Sequence, residues 1–98
     1  MEKIEAHLDD KRKGTLRLYV NDDKAGEMVI SENDETITVY HTEVSDAFSG
    51  KGYAHMLLDA LVNRARTTGR TINPLCPYVF AEFTRQPEQF ADVWKKRA

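Results

Sequence analysis

Midway along the chain the hydrophobic period changes at a pair of glycines, Gly50 and Gly52, and this change limits the fold more than any other feature of the sequence. Upstream, Leu16, Leu18 and Val20 alternate with Thr15, Arg17 and Tyr19, and a period of two marks a half-buried strand. Asn21-Asp22-Asp23-Lys24 interrupts the pattern as a polar turn. A second run from Ala25 to Ile30 ends at Ser31-Glu32-Asn33-Asp34-Glu35, and a third from Thr36 to Val44 places Ile37 and Val39 on one face. Residues from Ile4 to Leu8 suit an opening strand, and the runs together predict antiparallel hairpins.

Downstream of the glycines, Tyr53, Ala54, Leu57, Leu58, Leu61, Val62 and Ala65 recur at spacings of three and four, the signature of an amphipathic helix. It is predicted to begin just after Gly50 and stop near Thr68, with Gly69 as its cap and Arg64 and Arg66 at the negative end of its dipole. Thr71 to Cys76 then suits one more short strand, where Pro74 is tolerated at an edge. A short helix from Tyr78 to Thr84 follows, then a final helix with Pro87 in its first turn running through Phe90, Val93 and Trp94. Lys95-Lys96-Arg97 reads as a charge cluster at that helix end.

These elements predict an α+β (mixed α/β) fold over residues 1–98, one domain with helices on a mainly antiparallel sheet. The strands flanking the long helix are expected to be parallel neighbours joined by a right-handed crossover. A chain of 98 residues, 41% of them hydrophobic, closes one core and no more.

Charge excludes one class of function. With 14 basic against 16 acidic residues, the chain lacks the excess of cations that nucleic-acid affinity requires. Its amino terminus is charged from Glu2 onward and no stretch reaches the length of a membrane span, so a soluble, cytoplasmic protein without a membrane partner is expected. Cys76 is the only cysteine, which rules out an internal disulfide and a cysteine-rich metal site, and no metal is expected.

The glycines carry the chemistry. Between a strand and a helix, the first four N–H groups of the helix lack intrahelical partners, and the dipole adds positive charge there. A diphosphate is held at such a place without a dedicated cation, while Lys51 can add one. The competing reading is that Gly50 and Gly52 only turn the chain. His55 occupies the place of the third glycine of a Rossmann fingerprint, and the G-K-[ST] ending of a P-loop is missing.

Three segments, His41-Thr42-Glu43-Val44, Phe48-Ser49-Gly50-Lys51-Gly52-Tyr53-Ala54 and Asn73-Pro74-Leu75-Cys76-Pro77-Tyr78-Val79, resemble the very small YjdJ-like members of the GNAT acetyltransferase superfamily. The resemblance spans Ile37 to Trp94. It implies a GNAT-like sheet with a splayed parallel strand pair and a long crossover helix. It also implies acetyl-CoA as cofactor, its pyrophosphate on a turn of pattern [RQ]-x-x-G-x-[GA] that falls on Ser49 to Ala54. Gly52 and Ala54 match that pattern, whereas Ser49 stands where Arg or Gln is usual. The cofactor residues so implied are His41, Thr42, Val44, Ser49, Gly50, Lys51, Gly52, Tyr53, Ala54 and Asn73, with the pantetheine arm pairing along Thr42 to Val44 like an added strand.

Cys76, predicted at the carboxyl end of a strand, reads either as a nucleophile that takes the acetyl group or as a small buried residue. His41 and Glu43 share one strand face and are acid/base candidates for an amine acceptor, with solvated strand residues as the alternative. Tyr78 is either a proton donor to the leaving CoA thiolate or a packing residue. Arg64, Arg66 and Arg70 either steer the 3′-phosphate of CoA or are simply solvated. The function expected is transfer of acetyl from acetyl-CoA to an unknown amine, small molecule or protein, by a monomer or weak dimer. The rival expectations are a CoA-binding module with little catalysis and a structural or interaction domain.

Overall fold

A computed structural model describes residues 1–95, and Lys96 and Arg97 of the basic cluster lie outside the described residues. Four antiparallel strands come first: β1 (Glu2–Leu8), β2 (Lys13–Val20), β3 (Asp23–Glu32) and β4 (Thr36–Val44). Helix α1 (Tyr53–Thr68), strand β5 (Thr71–Pro74) and helix α2 (Pro77–Arg85) follow. The sheet runs β1-β2-β3-β4-β5, with β4 and β5 parallel and every other pair antiparallel. The α+β class, the mainly antiparallel sheet and the crossover helix thus stand as expected.

Local chemistry explains the turns. Val20 pairs with Asp23, so β2 and β3 are joined by two residues, Asn21 (φ 50°) and Asp22 (φ 73°), both in the left-handed region that a tight hairpin demands and that Asn and Asp tolerate best. Between β3 and β4, the Asn33 side-chain oxygen accepts from the N–H groups of Glu35 (2.8 Å) and Thr36 (2.7 Å) and holds the turn closed. Gly69 ends α1 at φ 68°, and its N–H and that of Arg70 donate to Ala65.

One face of the sheet and one stripe of α1 make the core. Leu16, Leu18, Met28, Ile30, Ile37, Val39 and Ile72 meet Leu57, Leu58, Leu61, Val62 and Ala65, all buried. Val79 and Phe83 of α2 join the same cluster. Beside it, Glu32, with a side chain only 3% exposed, accepts from Arg64 through both carboxylate oxygens and lies 3.5 Å from Arg70. Arg66 is held by Asp92 at 2.8 Å. Arg64 and Arg70 are therefore more than solvated residues: they offset a carboxylate that burial would otherwise destabilise, whereas the Arg66 pair is exposed. Glu32→Gln, which keeps the shape and removes the charge, is expected to cost about 1.5–3 kcal/mol of unfolding free energy, measured by denaturant titration. A loss below about 0.5 kcal/mol would mean the cluster contributes little, as exposed pairs do.

Two expectations need correction. The predicted final helix does not form: residues 87–93 make turns, and Trp94 forms a parallel bridge with Ile72. The Ile72 N–H donates to Val93 O (2.6 Å) and the Lys95 N–H to Ile72 O (2.8 Å), so the segment spends its backbone groups on the β5 edge. Those bonds, with the burial of Phe90 and Val93, hold the segment on the sheet edge instead of in a helix. Lys95 accordingly ends no helix. The strand expected to reach Cys76 pairs only as far as Pro74, because the N–H groups of Leu75 (3.0 Å) and Cys76 (2.9 Å) both turn onto Val39 O as the chain enters α2.

Candidate functional site

A bulge in β4 shapes the site. Ile30 pairs with Val39 and Val29 with His41, so Tyr40 is the extra residue. Below the bulge β4 is paired on both sides, with β5 spanning Thr36 to Val39. Above it, His41 to Val44 pair with β3 alone, and the edge that β5 would have covered is open.

The direction of the open groups follows from register. Ser45 donates to Ala25 O at 2.9 Å, and bonded residues alternate along an antiparallel pair, so Glu43 and His41 also face β3. Thr42 and Val44 therefore turn their N–H and C=O groups away from β3, into the gap. Side chains alternate too. Thr42 packs toward Cys76, with Oγ1 3.2 Å from Sγ, which puts His41 and Glu43 on the opposite face, both exposed. The two acid/base candidates thus share a face, as expected, but the strand separates them from the thiol.

The turn of Ser49 to Ala54 lies beyond the carboxyl end of β4, after a short 3-10 segment from Asp46 to Phe48. Gly50 (φ 75°) and Gly52 (φ 79°) are left-handed, a conformation that a β-carbon would strain although nothing stands within 4 Å of where one would sit. Ser49 serves the turn itself: its hydroxyl donates to Asp46 O at 3.0 Å. Phe48 and Tyr53, with ring centroids 6.1 Å apart, pack against the core on either side of the glycines. No side chain caps α1, and its first internal bond runs from Met56 N–H to Gly52 O. Among the described residues, the N–H groups of Gly52, Tyr53, Ala54 and His55 have no protein acceptor. Four donors at the positive end of a helix of 16 residues suit an anion. Lys51 is exposed beside them.

Cys76 is 2% exposed and sits at the N-cap of α2. Tyr78, in the first turn of α2, is half-buried against the core, and burial, followed by the charge of Glu82, raises its hydroxyl above the ordinary tyrosine range. Asn73 pairs with Thr38 one step inside the closed part of the ladder. It lines a cleft of about 420 Å³ with Pro74, Leu75, Phe80, Trp94 and Lys95 rather than the gap beside Thr42. No helix among the described residues is long and apolar enough to cross a membrane, and they hold no group of three or more metal-ligating side chains.

Sequence reasoning assigns Thr42 a backbone role and misses its contact with the thiol. Nothing local signals it, since the two residues are 34 apart and meet only because β4 and β5 part where they do.

Comparison with known proteins bears on the fold. The chain is similar to a ribosomal-protein-alanine N-acetyltransferase from Brucella melitensis biovar Abortus, with 21% identity and a TM-score of 0.64 over 91% of this chain and 66% of that one. It is also similar to a GCN5-like putative N-acetyltransferase from Staphylococcus aureus, with 22% identity and a TM-score of 0.62 over 98% and 90% of the two chains. A GNAT family acetyltransferase from Elizabethkingia anophelis, solved with acetyl-CoA bound, matches at 17% identity and a TM-score of 0.57 over 64% of this chain and 42% of its own. The chain thus spans two-thirds or less of the Brucella and Elizabethkingia proteins. At these identities the likeness concerns the fold. No curated protein sequence matches the chain. The family model for the GCN5-related N-acetyl-transferase matches residues 15–93, more than half of the sequence, and the chain belongs to that family.

Proposed function

We propose that the protein is an acetyl-CoA-dependent N-acyltransferase that passes acetyl to an amine by way of Cys76. The observation that carries this reading is the open β4 edge at Thr42 and Val44 leading toward four unpartnered N–H groups at the head of α1. The edge suits the amides of a pantetheine arm, which pair with it as a strand does. The helix head suits the diphosphate, with Lys51 adding charge and the left-handed glycines allowing close approach. The acetyl-CoA bound to the Elizabethkingia protein of the same fold supports the cofactor.

In the first half-reaction the Cys76 sulfur attacks the thioester carbon, the bond from that carbon to the CoA sulfur breaks, and CoA leaves with the proton the thiol gave up. In the second, the amine nitrogen attacks the acyl-cysteine, the carbon–sulfur bond to Cys76 breaks, and an amide forms. The amine's surplus proton is taken up by the cysteine sulfur as it leaves, which restores the thiol. Acceptors reach the acyl-cysteine through the gap beside Thr42, because His41 and Glu43 lie on the other face of β4. Incubation with acetyl-CoA in the absence of an acceptor tests the reading: intact-protein mass spectrometry is expected to find a mass gain of one acetyl group, mapped to Cys76, with free CoA released in equal amount. Acetyl-CoA that binds but leaves no acyl-protein, while an added amine is still acetylated, would replace this route with direct transfer.

A further inference from the structure

We infer that Thr42 is a positioning residue for Cys76, its hydroxyl fixing the sulfur at the mouth of the cofactor gap; this rests on the thiol being the acyl acceptor. Three observations converge on it. The Thr42 Oγ1 to Cys76 Sγ distance is 3.2 Å, and no other side-chain hydrogen bond to Sγ exists among the described residues. Cys76 is 2% exposed and belongs to the apolar core cluster, where a sulfur gaining charge finds little water to stabilise it. Finally, Thr42 directs its backbone N–H and C=O into the gap that receives pantetheine, so one residue touches both the proposed cofactor path and the proposed nucleophile.

The two atoms exchange roles as charge moves. With the thiol protonated, S–H donates to Oγ1 or the hydroxyl donates to sulfur. As the thiol gives up its proton, before the acyl bond has formed, the hydroxyl donates to the developing thiolate, a charge-assisted bond stronger than a neutral one. A β-branched residue holds that oxygen in few rotamers, so the sulfur is aimed as well as solvated. Mere packing would ask only for the shape of Thr42, which valine reproduces.

That difference is the test. Thr42→Val and Thr42→Ser are compared with the native protein in three measurements: the melting temperature, the rate of Cys76 alkylation by iodoacetamide without CoA, and steady-state acetyl transfer. For Thr42→Val the expected result is a melting temperature close to native, alkylation slowed about 10-fold, and a kcat reduced by at least that factor with KM for acetyl-CoA unchanged. Thr42→Ser is expected to restore alkylation and kcat to within about threefold. Native-like alkylation and kcat in a folded Thr42→Val protein would overturn the inference, as would serine failing to restore either. Should Thr42→Val fail to fold, serine against alanine at the same position decides between the same outcomes. Alkylation does not depend on acyl transfer, so a slowed reaction with the thiol combined with full transfer by Cys76→Ala would reject the covalent route while leaving the pairing of hydroxyl and sulfur intact.

Discussion

Alanine in place of Cys76 is expected to lower acetyl transfer by roughly a thousandfold or more, the scale on which loss of a covalent nucleophile is felt when cofactor binding survives. CoA affinity is expected to stay within about twofold of native, because the proposed donors are the backbone of Gly52 to His55 and of β4, none of which the substitution touches. Serine separates chemistry from packing. It nearly preserves the volume at this buried position, yet its hydroxyl has no adjacent base to activate it, so Cys76→Ser is expected to be as inactive as Cys76→Ala. Transfer by both variants at the native rate would leave Cys76 as a core residue and move the reaction to direct attack by the amine from the His41 and Glu43 face.

Phe83→Ala is expected to remove about 3–5 kcal/mol of unfolding free energy, read from the shift of the denaturant midpoint at constant m-value. Phe83 is fully buried, stacks on Phe90 with centroids 4.6 Å apart and leans on Trp94 at 5.6 Å. Those contacts hold the last turns of the chain beneath α2, and the same turns supply the Val93 carbonyl that Ile72 uses. Since small domains hold roughly 5–15 kcal/mol in all, this one ring accounts for a large share. Because β5 leads directly into Cys76, transfer by the folded fraction is expected to fall as well. A change below about 1 kcal/mol would mean that the aromatic cluster is loosely packed.

The period change in the sequence locates the elements well because it reports burial directly. Leu16, Leu18, Ile37 and Val39 on the strands and Leu57, Leu58, Leu61, Val62 and Ala65 on α1 are all buried on the faces their spacing indicates. Gly69 is legible as a cap because few other residues adopt its left-handed backbone. Spacing misleads in the carboxyl-terminal segment for a physical reason. The interval of three between Phe90 and Val93 fits a helix and a buried turn equally, and the choice is made by hydrogen bonds to Ile72, distant in sequence. The role of the arginines is hidden because Glu32 is 32 residues from Arg64 and nothing local announces the pairing. At the site, the glycine turn is visible as a motif. The Tyr40 bulge, which opens the β4 edge, is not, since it depends on how β4 registers with β3.

A titration of the labelled protein with CoA, followed by amide NMR, tests the central claim most directly. The expected result is saturable shifts concentrated at Gly52, Tyr53, Ala54 and His55 and at Thr42 and Val44, with Glu43 and His41, whose amides already face β3, moving less. Shifts confined to other surfaces, or none at millimolar CoA, would contradict the account and leave the glycines with only the turn to make.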